Sequence, residues 1–324
     1  MSVATMDTQH NDAICDRINI VLTIDSGYVM PAAVTLRSIA ENVQGHITLY
    51  IVDCGIDAED KQKITTSLPI RPDITVRFID LPPNAIASKL GPPWARIDAM
   101  KCLPVERAIY LDADVLVRKD LRELWNADLK GHPLAAVPDI GRRRGVRRDR
   151  CFNSGVLLMD LTRIRVAFPE LERRCYELKG SKFYDRDPLN AHFKDDWASL
   201  DLTWNAQGLG TYAKWVCVDE GKLCLEEMND PAIVHFTGPV HPPMGVVLDF
   251  FQHPVAAKPW GYVGAPGHPY EKDWWDMLGR TTWRGWKETI DYKGAREQAR
   301  RKVLKTAKED FDKWMESRER IRSL

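Results

Sequence analysis

A chain of 324 residues is long enough to bury a sizeable core, in one large domain or in two smaller ones. Hydrophobic residues make up 44% of it and charged residues 28%, as in an ordinary globular protein. The 46 basic side chains balance the 46 acidic ones, so no global field favours a nucleic-acid partner and any basic surface must be local.

The cysteines and the N-terminus indicate the compartment. The seven cysteines are odd in number and scattered without a C-x-x-C pair, which favours free thiols in a reducing compartment over a disulfide or zinc framework. Residues 1–12 are polar, unlike a signal peptide, and no apolar run approaches the roughly 18 residues of a membrane span. We therefore expect a cytoplasmic protein with a disordered arm over residues 1–16.

Strands and helices alternate in the first part of the chain. Apolar runs predict four strands: Ile18–Ile24, Ile47–Val52, Ile74–Ile79 and Ala108–Val117. Helical patterns lie between them, the first with Pro31 near its start, the second opening at Asp57 and the third, Trp94–Leu103, stopped by Pro104. This alternation predicts an α/β fold, in which a mostly parallel sheet carries helices on both faces.

Acidic residues stand where these strands end. Ligands of such sheets bind beyond the carboxyl ends of the strands. The aspartates at these ends are Asp25, Asp53, Asp112 and Asp114. Their common position favours a ligand site at this edge of the sheet.

Asp112 and Asp114 are one residue apart within the run Ala108–Val117. In a strand, residues two apart point to the same side, so both carboxylates would face one point. Two hard oxygen ligands suit Mg²⁺ or Mn²⁺, above all a metal that also holds phosphate oxygens. The alternative is a strand that simply runs into an acidic turn.

The middle of the chain adds further elements. A short helix is predicted over Leu121–Trp125, a strand over Leu134–Asp139, a polar turn leading into a strand over Cys151–Met159, a helix over Ile164–Leu178 and a strand within Ile233–Pro239. The loop Gly141–Arg150 holds six arginines and is either a solvated loop or a lid that contacts an anion. Residues 242–267 are rich in Pro and Gly and predict an ordered excursion.

The C-terminal region differs from the rest. Residues 293–322 have a helical pattern with an apolar side, formed by Val303, Leu304, Ala307, Phe311, Trp314 and Met315. Between Tyr292 and Leu324 eleven basic residues stand against six acidic ones. The pattern is typical of a helix on an anionic membrane surface, or of a docked helix with a solvated charged face. We expect a domain over residues 17–262 and a Trp-rich, basic helical region over 263–324, whose tryptophans either stack on a ligand or form core.

Five ordered segments of the chain resemble the successive motifs of glycosyltransferase family 8: Ile18–Asn42, Arg107–Asp120, Phe152–Met159, Tyr184–Asn190 and His235–Pro239. Enzymes of that family have the Rossmann-like GT-A fold. They transfer a hexose from UDP-glucose or UDP-galactose with retention at the anomeric carbon. Their members include bacterial lipopolysaccharide galactosyl- and glucosyltransferases, and glycogenin is a relative.

The resemblance implies a site for Mn²⁺ or Mg²⁺ and for the nucleotide. The metal ligands would be Asp112, Asp114 and His235. The UDP-binding residues would be Asp25, Tyr28, Arg96, Asp112, Ala113, Gly238 and Lys258. Gly27 stands where many relatives have Asn. His241 is the alternative to Lys258 for contacting the diphosphate, and we favour Lys258 because it keeps the tripeptide Lys258-Pro-Trp260.

The resemblance places the hexose against Asn153, Asp185, Arg186 and Asp187. Many relatives have Gln where this chain has Arg186, and a cation would oppose the positive charge that develops on the sugar. Arg186 would therefore turn away or pair with Asp185 or Asp187, which would hold them ionised. The family's front-face route implies that the departing phosphate oxygen takes the proton of the acceptor.

The acceptor implied by the family is a glycan, a lipid-linked glycan or a protein, and peripheral membrane contact would come from the basic C-terminal helix.

Two other functions remain open. Leu111-Asp-Ala-Asp-Val115 also fits the first motif of haloacid-dehalogenase phosphatases, although that motif normally lies early in its domain. Alternatively, Arg186 has disabled transfer and the chain is a nucleotide-sugar sensor or scaffold.

Overall fold

The computed structural model of the protein describes residues 17–139, 151–209, 225–237, 257–261 and 268–322. The chain forms two compact units, one made of Met1–Ala206 with Asp219–His235 and the other of Gln207–Val218 with Phe236–Leu324. The predicted arm over residues 1–16 lies outside the described residues, and the predicted domain boundary after residue 262 stays a prediction.

The first unit contains the strands. In chain order they are β1 (Ile18–Ile24), β2 (Ile47–Asp53), β3 (Ile74–Asp80), β4 (Arg107–Leu111), β5 (Val115–Val117), β6 (Leu134–Pro138), β7 (Phe152–Asp160), β8 (Ala198–Ser199) and β9 (Ile233–His235). Seven of them form one sheet in the order β3-β2-β1-β4-β7-β6-β8. The pairs along β3-β2-β1-β4 and the pair β6-β8 are parallel, whereas β7 runs antiparallel to β4 and β6. The predicted α/β class with a mostly parallel sheet is confirmed.

Helices alternate with these strands as predicted. In the first unit they are α1 (Val29–Asn42), α2 (Ala58–Ser67), α3 (Ile86–Leu90), α4 (Ala95–Cys102), α5 (Arg122–Trp125), α6 (Leu161–Val166), α7 (Phe168–Glu177) and α8 (Arg186–His192). In the second unit they are α9 (Glu271–Leu278) and α10 (Ile290–Arg322). Asp57 caps α2, where its side chain accepts a hydrogen bond from the Asp60 amide, and this contact explains why the helix begins there.

Burial of both faces explains the apolar runs of the central strands. β2 is buried from Ile47 to Val52, whereas β3, at the edge of the sheet, alternates between exposed and partly buried residues. Central strands of a parallel sheet read as continuous apolar runs for this reason. Large side chains such as Trp94, Tyr110 and Trp197 complete the core beside the sheet.

The run Ala108–Val117 is not one strand, so that prediction is wrong. β4 ends at Leu111, and after a turn over Asp112–Asp114 the chain enters β5, which pairs antiparallel with β9 in a separate two-stranded sheet. The Asp112 amide still donates to the Gly155 carbonyl oxygen at 2.8 Å, which continues the contact between β4 and β7. The two carboxylates therefore project from a turn rather than from a strand face.

Two other segments differ from their predicted elements. The polar stretch after Cys151 belongs to β7 rather than to a turn. The predicted helix Ile164–Leu178 is two helices, which meet at Ala167 because Pro169 begins a new first turn. The four cysteines among the described residues are free thiols, as predicted: Cys54, Cys102, Cys151 and Cys175.

The second unit has an aromatic centre. Trp274 is fully buried and stacks on Trp260 at a centroid distance of 4.9 Å, and Trp275 stacks on Trp286 at 6.3 Å. Burial assigns Trp274 to the core of its unit. Across the described part of the chain, no helix is both long enough and apolar enough to cross a lipid bilayer.

Candidate functional site

Asp112, Asp114 and His235 meet at the junction of the two sheets of the first unit. β5 and β9 pair Val115 with His235, which brings the imidazole beside the turn that carries both carboxylates. His235 Nε2 lies 3.2 Å from Asp114 Oδ1 and 3.6 Å from Asp112 Oδ2. One ligand atom from each side chain lies within 4.8 Å of the others. The pairing of two short strands thus builds a three-ligand cluster.

The ionisation state of His235 suits a metal ligand. The side chain is 3% exposed, and burial lowers the pKa of His235 to about 4, although Asp112 opposes that shift. The ring is therefore neutral near pH 7, and its Nδ1 hydrogen-bonds with Asn205 Oδ1 at 2.9 Å. Since a carbonyl oxygen only accepts, Nδ1 carries the proton and Nε2 keeps its lone pair toward the carboxylates.

The donor set fits a divalent cation. Two carboxylates held this close repel each other unless a positive charge lies between them. Hard oxygen ligands with one imidazole nitrogen match the preferences of Mn²⁺, and the carboxylates match those of Mg²⁺. Asp114 and His235 are buried and Asp112 is partly exposed, so a cation bound there would keep one side open.

Arg96 of α4 ties the cluster to Asp185. Its guanidinium forms ion pairs with Asp112 and, at 3.0 Å, with Asp185, and it donates to Ser154 Oγ. Burial alone would lower the pKa of Arg96, but the two carboxylates raise it above its ordinary value. Arg96 is therefore a fixed positive charge, and its guanidinium also lies over the Tyr110 ring at 4.4 Å.

Asp185 immediately precedes α8 and is 7% exposed. Burial raises the pKa of its carboxyl to about 6, whereas Arg96 lowers it. Its Oδ2 makes no hydrogen bond within the described structure, because the contact with Arg96 has the distance of an ion pair without hydrogen-bond geometry. A buried acceptor of this kind lacks a donor that a ligand hydroxyl could supply.

The neighbours of Asp185 have other partners. Arg186 donates to Asp139 Oδ2 at 2.7 Å, and its guanidinium lies 4.1 Å from the centre of the Phe183 ring. Asp187 accepts a hydrogen bond from Ser181 Oγ. Arg186 therefore forms its ion pair with Asp139, which follows β6, rather than with Asp185 or Asp187.

Arg96, Asp112, Asp114 and Asp185 border a cavity of about 240 Å³. Its wall is formed by Thr23, Asp25, Tyr28, Cys54, Pro92, Pro93, Arg96, Tyr110, Asp112, Ala113, Asp114 and Asp185. A neighbouring cavity of about 400 Å³ shares Cys54 and Pro92 with it and extends past Asp53 and Asp80. The carboxyl ends of β1 to β4 thus border two neighbouring cavities, as expected for ligand sites of this fold class.

The structure describes only some of the predicted nucleotide-binding residues. Asp25 Oδ1 accepts from the amides of Gly27 and Tyr28, and Tyr28 is 37% exposed at the cavity. Lys258 belongs to the second unit, with its Nζ 5.7 Å from the centre of the Trp260 ring. Gly238, His241 and the loop Arg142–Arg150 lie outside the described residues.

Sequence reasoning missed several residues at this site. Tyr110 donates to Asp112 Oδ1 at 3.0 Å, and its position two residues before Asp112 was a usable signal. Asn205 contacts His235, and Asp139 contacts Arg186, with no motif to indicate either contact. Asn153, predicted on the hexose side, uses its Oδ1 to accept from Asn205 Nδ2 at 3.0 Å.

The family model described as Glycosyl transferase family 8 matches residues 91–242 of the chain. That segment holds every residue of the three-ligand cluster, together with Arg96, Asp185 and Asn205. The match therefore covers the part of the sequence from which most of the site is built.

Two relatives resemble a larger share of the chain. Glycosyltransferase GlyF of Streptococcus pneumoniae is 28% identical over 233 residues, which are 68% of this chain and 56% of that protein. General stress protein A of Bacillus subtilis is 26% identical over 293 residues, which are 82% of this chain and 94% of that protein. The chain thus spans little more than half of the first relative and nearly all of the second.

A solved structure shows the same fold. Galactosyltransferase LgtC, crystallised with donor and acceptor sugar analogs, matches with a TM-score of 0.62 at 23% identity, over 83% of this chain and 99% of LgtC. At this identity the likeness establishes architecture alone. The predicted GT-A architecture with a C-terminal helix is confirmed.

Proposed function

The chain belongs to glycosyltransferase family 8, as its motifs predict, and we propose that it transfers glucose or galactose from a UDP-sugar to a hydroxyl group of an acceptor, with retention at the anomeric carbon. The observation that carries the proposal is the cluster of Asp112, Asp114 and His235 beside a cavity at the carboxyl ends of parallel strands. The family match removes the phosphatase alternative.

Asp112, Asp114 and His235 would hold Mn²⁺ or Mg²⁺ in this proposal. A divalent cation there supplies positive charge for the diphosphate as the glycosidic bond breaks. The chain's own part is to hold these ligands in place. Arg96 and Tyr110 do so for Asp112 through an ion pair and a hydrogen bond.

The nucleotide would occupy the cavity beside Tyr28. Its base would stack on the exposed Tyr28 ring, with Asp25 nearby and the Ala113 backbone next to the ribose. Gly238 and Lys258 are proposed contacts of the diphosphate, and His241 is the alternative to Lys258. Support comes from the positions of Asp25, Tyr28 and Ala113 on one cavity wall.

Asp185 is the proposed orienter of the donor hexose. Its buried Oδ2 lacks a hydrogen-bond donor, so a sugar hydroxyl would satisfy it. Asn153, Arg186 and Asp187 are proposed to shape the same region. The ion pair with Asp139 neutralises Arg186, so its cation no longer opposes positive charge on the sugar, which supports activity over the sensor alternative.

Transfer is proposed to take the front-face route. The bond between the anomeric carbon and the phosphate oxygen breaks, and its electron pair stays on that oxygen. The acceptor oxygen bonds to the same face of the sugar, and its proton passes to the phosphate oxygen. Arg96 holds Asp185 in an ion pair, which disfavours Asp185 as a nucleophile for a double displacement.

The proposed acceptor is a glycan, a lipid-linked glycan or a protein. The proposed location is the cytoplasm, with peripheral contact at the inner face of a membrane. Trp314 and Met315 are 40% and 41% exposed on the basic helix α10, which supports such contact.

The test combines binding and turnover. We expect UDP to bind calorimetrically in the presence of MnCl₂ or MgCl₂, and a UDP-hexose to be hydrolysed slowly or transferred under the same conditions. Asp112→Ala should abolish the metal-dependent binding, whereas Asp230→Asn, at a surface ion pair with Arg118, should leave it unchanged. Unchanged binding by Asp112→Ala would refute the metal site.

Measured rates of sugar transfer and hydrolysis distinguish a glycosyltransferase from a nucleotide-sugar sensor. Asp185→Ala should keep UDP binding and lose most of the transfer rate, and a variant that transfers sugar at the parent rate would remove Asp185 from the sugar site. UDP binding without hydrolysis of any UDP-hexose would instead support the sensor alternative.

A further inference from the structure

A chain of three hydrogen bonds leads from the backbone of β7 to His235. The Gly155 amide donates to Asn153 Oδ1 at 2.9 Å, and Asn205 Nδ2 donates to the same oxygen at 3.0 Å. Asn205 Oδ1 then lies 2.9 Å from His235 Nδ1. Asn205 is fully buried, and Asn153 and His235 are 7% and 3% exposed, so water does not compete for these bonds.

The donors and acceptors of this chain allow one arrangement. A backbone amide can only donate, so the Asn153 atom that faces Gly155 is its carbonyl oxygen. That oxygen can only accept, so Asn205 presents its NH₂ group to it. The Asn205 oxygen is then the atom that faces His235, and Nδ1 must carry the proton. A backbone group of β7 thus determines which ring nitrogen of His235 is left to bind a ligand.

Burial of the Asn205 amide is unfavourable unless its polar atoms are hydrogen-bonded, and an apolar side chain would fill the space without that requirement. Without Asn205 Oδ1, the ring proton would move to Nε2, because Asp114 Oδ1 lies 3.2 Å away and accepts. In that tautomer the nitrogen facing the carboxylates could no longer coordinate a cation.

We propose that Asn205 is a positioning residue that holds His235 in the tautomer with Nδ1 protonated and Nε2 presented to a divalent cation beside Asp112 and Asp114. The inference rests on the proposed function, because it assigns His235 to the metal. Partners of this kind typically change metal affinity by about 10- to 100-fold.

The first measurement is the ring tautomer of His235 in the metal-free protein. Two-bond ¹⁵N–¹H NMR correlations at pH 7 distinguish the two tautomers, and loss of one signal set in His235→Gln identifies His235 among the eight histidines. We expect Nδ1–H in the unsubstituted protein. An Nε2–H tautomer there would overturn the inference, whatever the variants do.

The second measurement compares variants of Asn205. Asn205→Leu keeps the branched shape of the side chain and removes the acceptor, and we expect the Nε2–H signals to appear and Mn²⁺ affinity to fall by about 10- to 100-fold. Asn205→Asp keeps an acceptor at Nδ1, so it should retain the tautomer and lose much less affinity. Asn19→Leu removes an amide that donates to the Arg107 carbonyl oxygen at the opposite end of β1, and should change neither readout.

The outcomes separate this inference from the proposed function. If Asn205→Leu folds and keeps both the Nδ1–H tautomer and Mn²⁺ affinity, Asn205 only fills space and the inference fails. If the unsubstituted protein binds neither Mn²⁺ nor UDP with Mn²⁺, the proposed function fails, while the tautomer still reports on Asn205 by itself. The loss of affinity in Asn205→Leu and its recovery in Asn205→Asp together would support both.

Discussion

Gly155 shows how closely β7 approaches the proposed metal ligands. A Cβ atom at this position would lie 2.2 Å from His235 Cε1, 2.7 Å from His235 Nδ1 and 2.8 Å from Asp112 Oδ2. These distances are far shorter than van der Waals contact. Gly155 has strand geometry, so the need for glycine here comes from space rather than from an unusual backbone angle. The absent side chain makes room for the imidazole.

Gly155→Ala should therefore displace His235 and lower Mn²⁺ affinity by roughly 10-fold or more, since a ligand misplaced by about an ångström no longer completes the site. Calorimetric titration with MnCl₂ and UDP measures this loss, and circular dichroism checks the fold. Gly180→Ala is the matched control, because nothing lies within 4 Å of a Cβ there. Parent-like binding by Gly155→Ala would mean that His235 is not a ligand.

Residue patterns predicted part of this site and could not predict the rest. Asp112 and Asp114 were visible as a pair of acids after an apolar run, and His235 joined them only through the family resemblance. Asn205 follows a tryptophan in a segment without periodicity, so its contact with His235 depends on the pairing of β5 with β9. The ion pair of Arg186 with Asp139 is likewise set by tertiary packing.

At the scale of elements, α1 holds the turn that presents the carboxylates. Thr35 Oγ1 lies 2.7 Å from the Val115 carbonyl oxygen and 3.1 Å from that of Ala113, and it donates its hydrogen toward them. One turn further along, Ser38 Oγ accepts from the Val117 amide at 3.0 Å. α1 thus supplies the hydrogen bonds that the turn and β5 lose by leaving the main sheet.

Thr35→Val should loosen this turn at nearly constant volume. Buried carbonyl oxygens would lose their donor, which costs about 1–2 kcal/mol of unfolding free energy, and Mn²⁺ affinity should fall because Asp112 and Asp114 flank the freed carbonyl of Ala113. Urea denaturation and metal titration measure the two effects. Thr65→Val, which removes an exposed helical hydrogen bond to Lys61, is the control. Loss of stability without loss of affinity would show that α1 supports the fold alone.

The elements show which structure a local pattern can determine. The bounds of β1 and β2 were predicted closely because a strand buried on both faces appears in the sequence as a continuous apolar run. The break between β4 and β5 was missed because two apolar runs separated by three residues read as one strand. The partner that separates them, β9, was itself predicted as a strand, but it lies far along the chain, and no local pattern reports its pairing with β5.

At the scale of the whole molecule, charge is unevenly distributed along the chain. The formal net charge is zero, and residues 292–324 carry eleven basic and six acidic side chains, or +5. The remaining residues 1–291 therefore carry −5. Helix α10 holds most of this positive segment, with Phe311 and Trp314 in ring contact at 5.8 Å and Arg318 over the Trp314 ring at 5.0 Å. Basic and aromatic side chains on one helix are typical of contact with a membrane surface.

This distribution gives opposite expectations for anionic and neutral membranes. Binding to vesicles with phosphatidylserine should exceed binding to phosphatidylcholine vesicles and fall as salt rises, because each basic residue near an anionic surface contributes about 1 kcal/mol that ions screen. The double substitution Trp314→Ser with Met315→Ser should weaken sedimentation with anionic vesicles, since it removes apolar area from exposed positions of α10. Val166→Ser removes an apolar side chain that is 84% exposed in the first unit, and should have no effect. If the double variant sediments like the parent, Trp314 and Met315 do not contact the membrane. If neutral vesicles bind equally well, the basic charge of α10 does not attract the membrane.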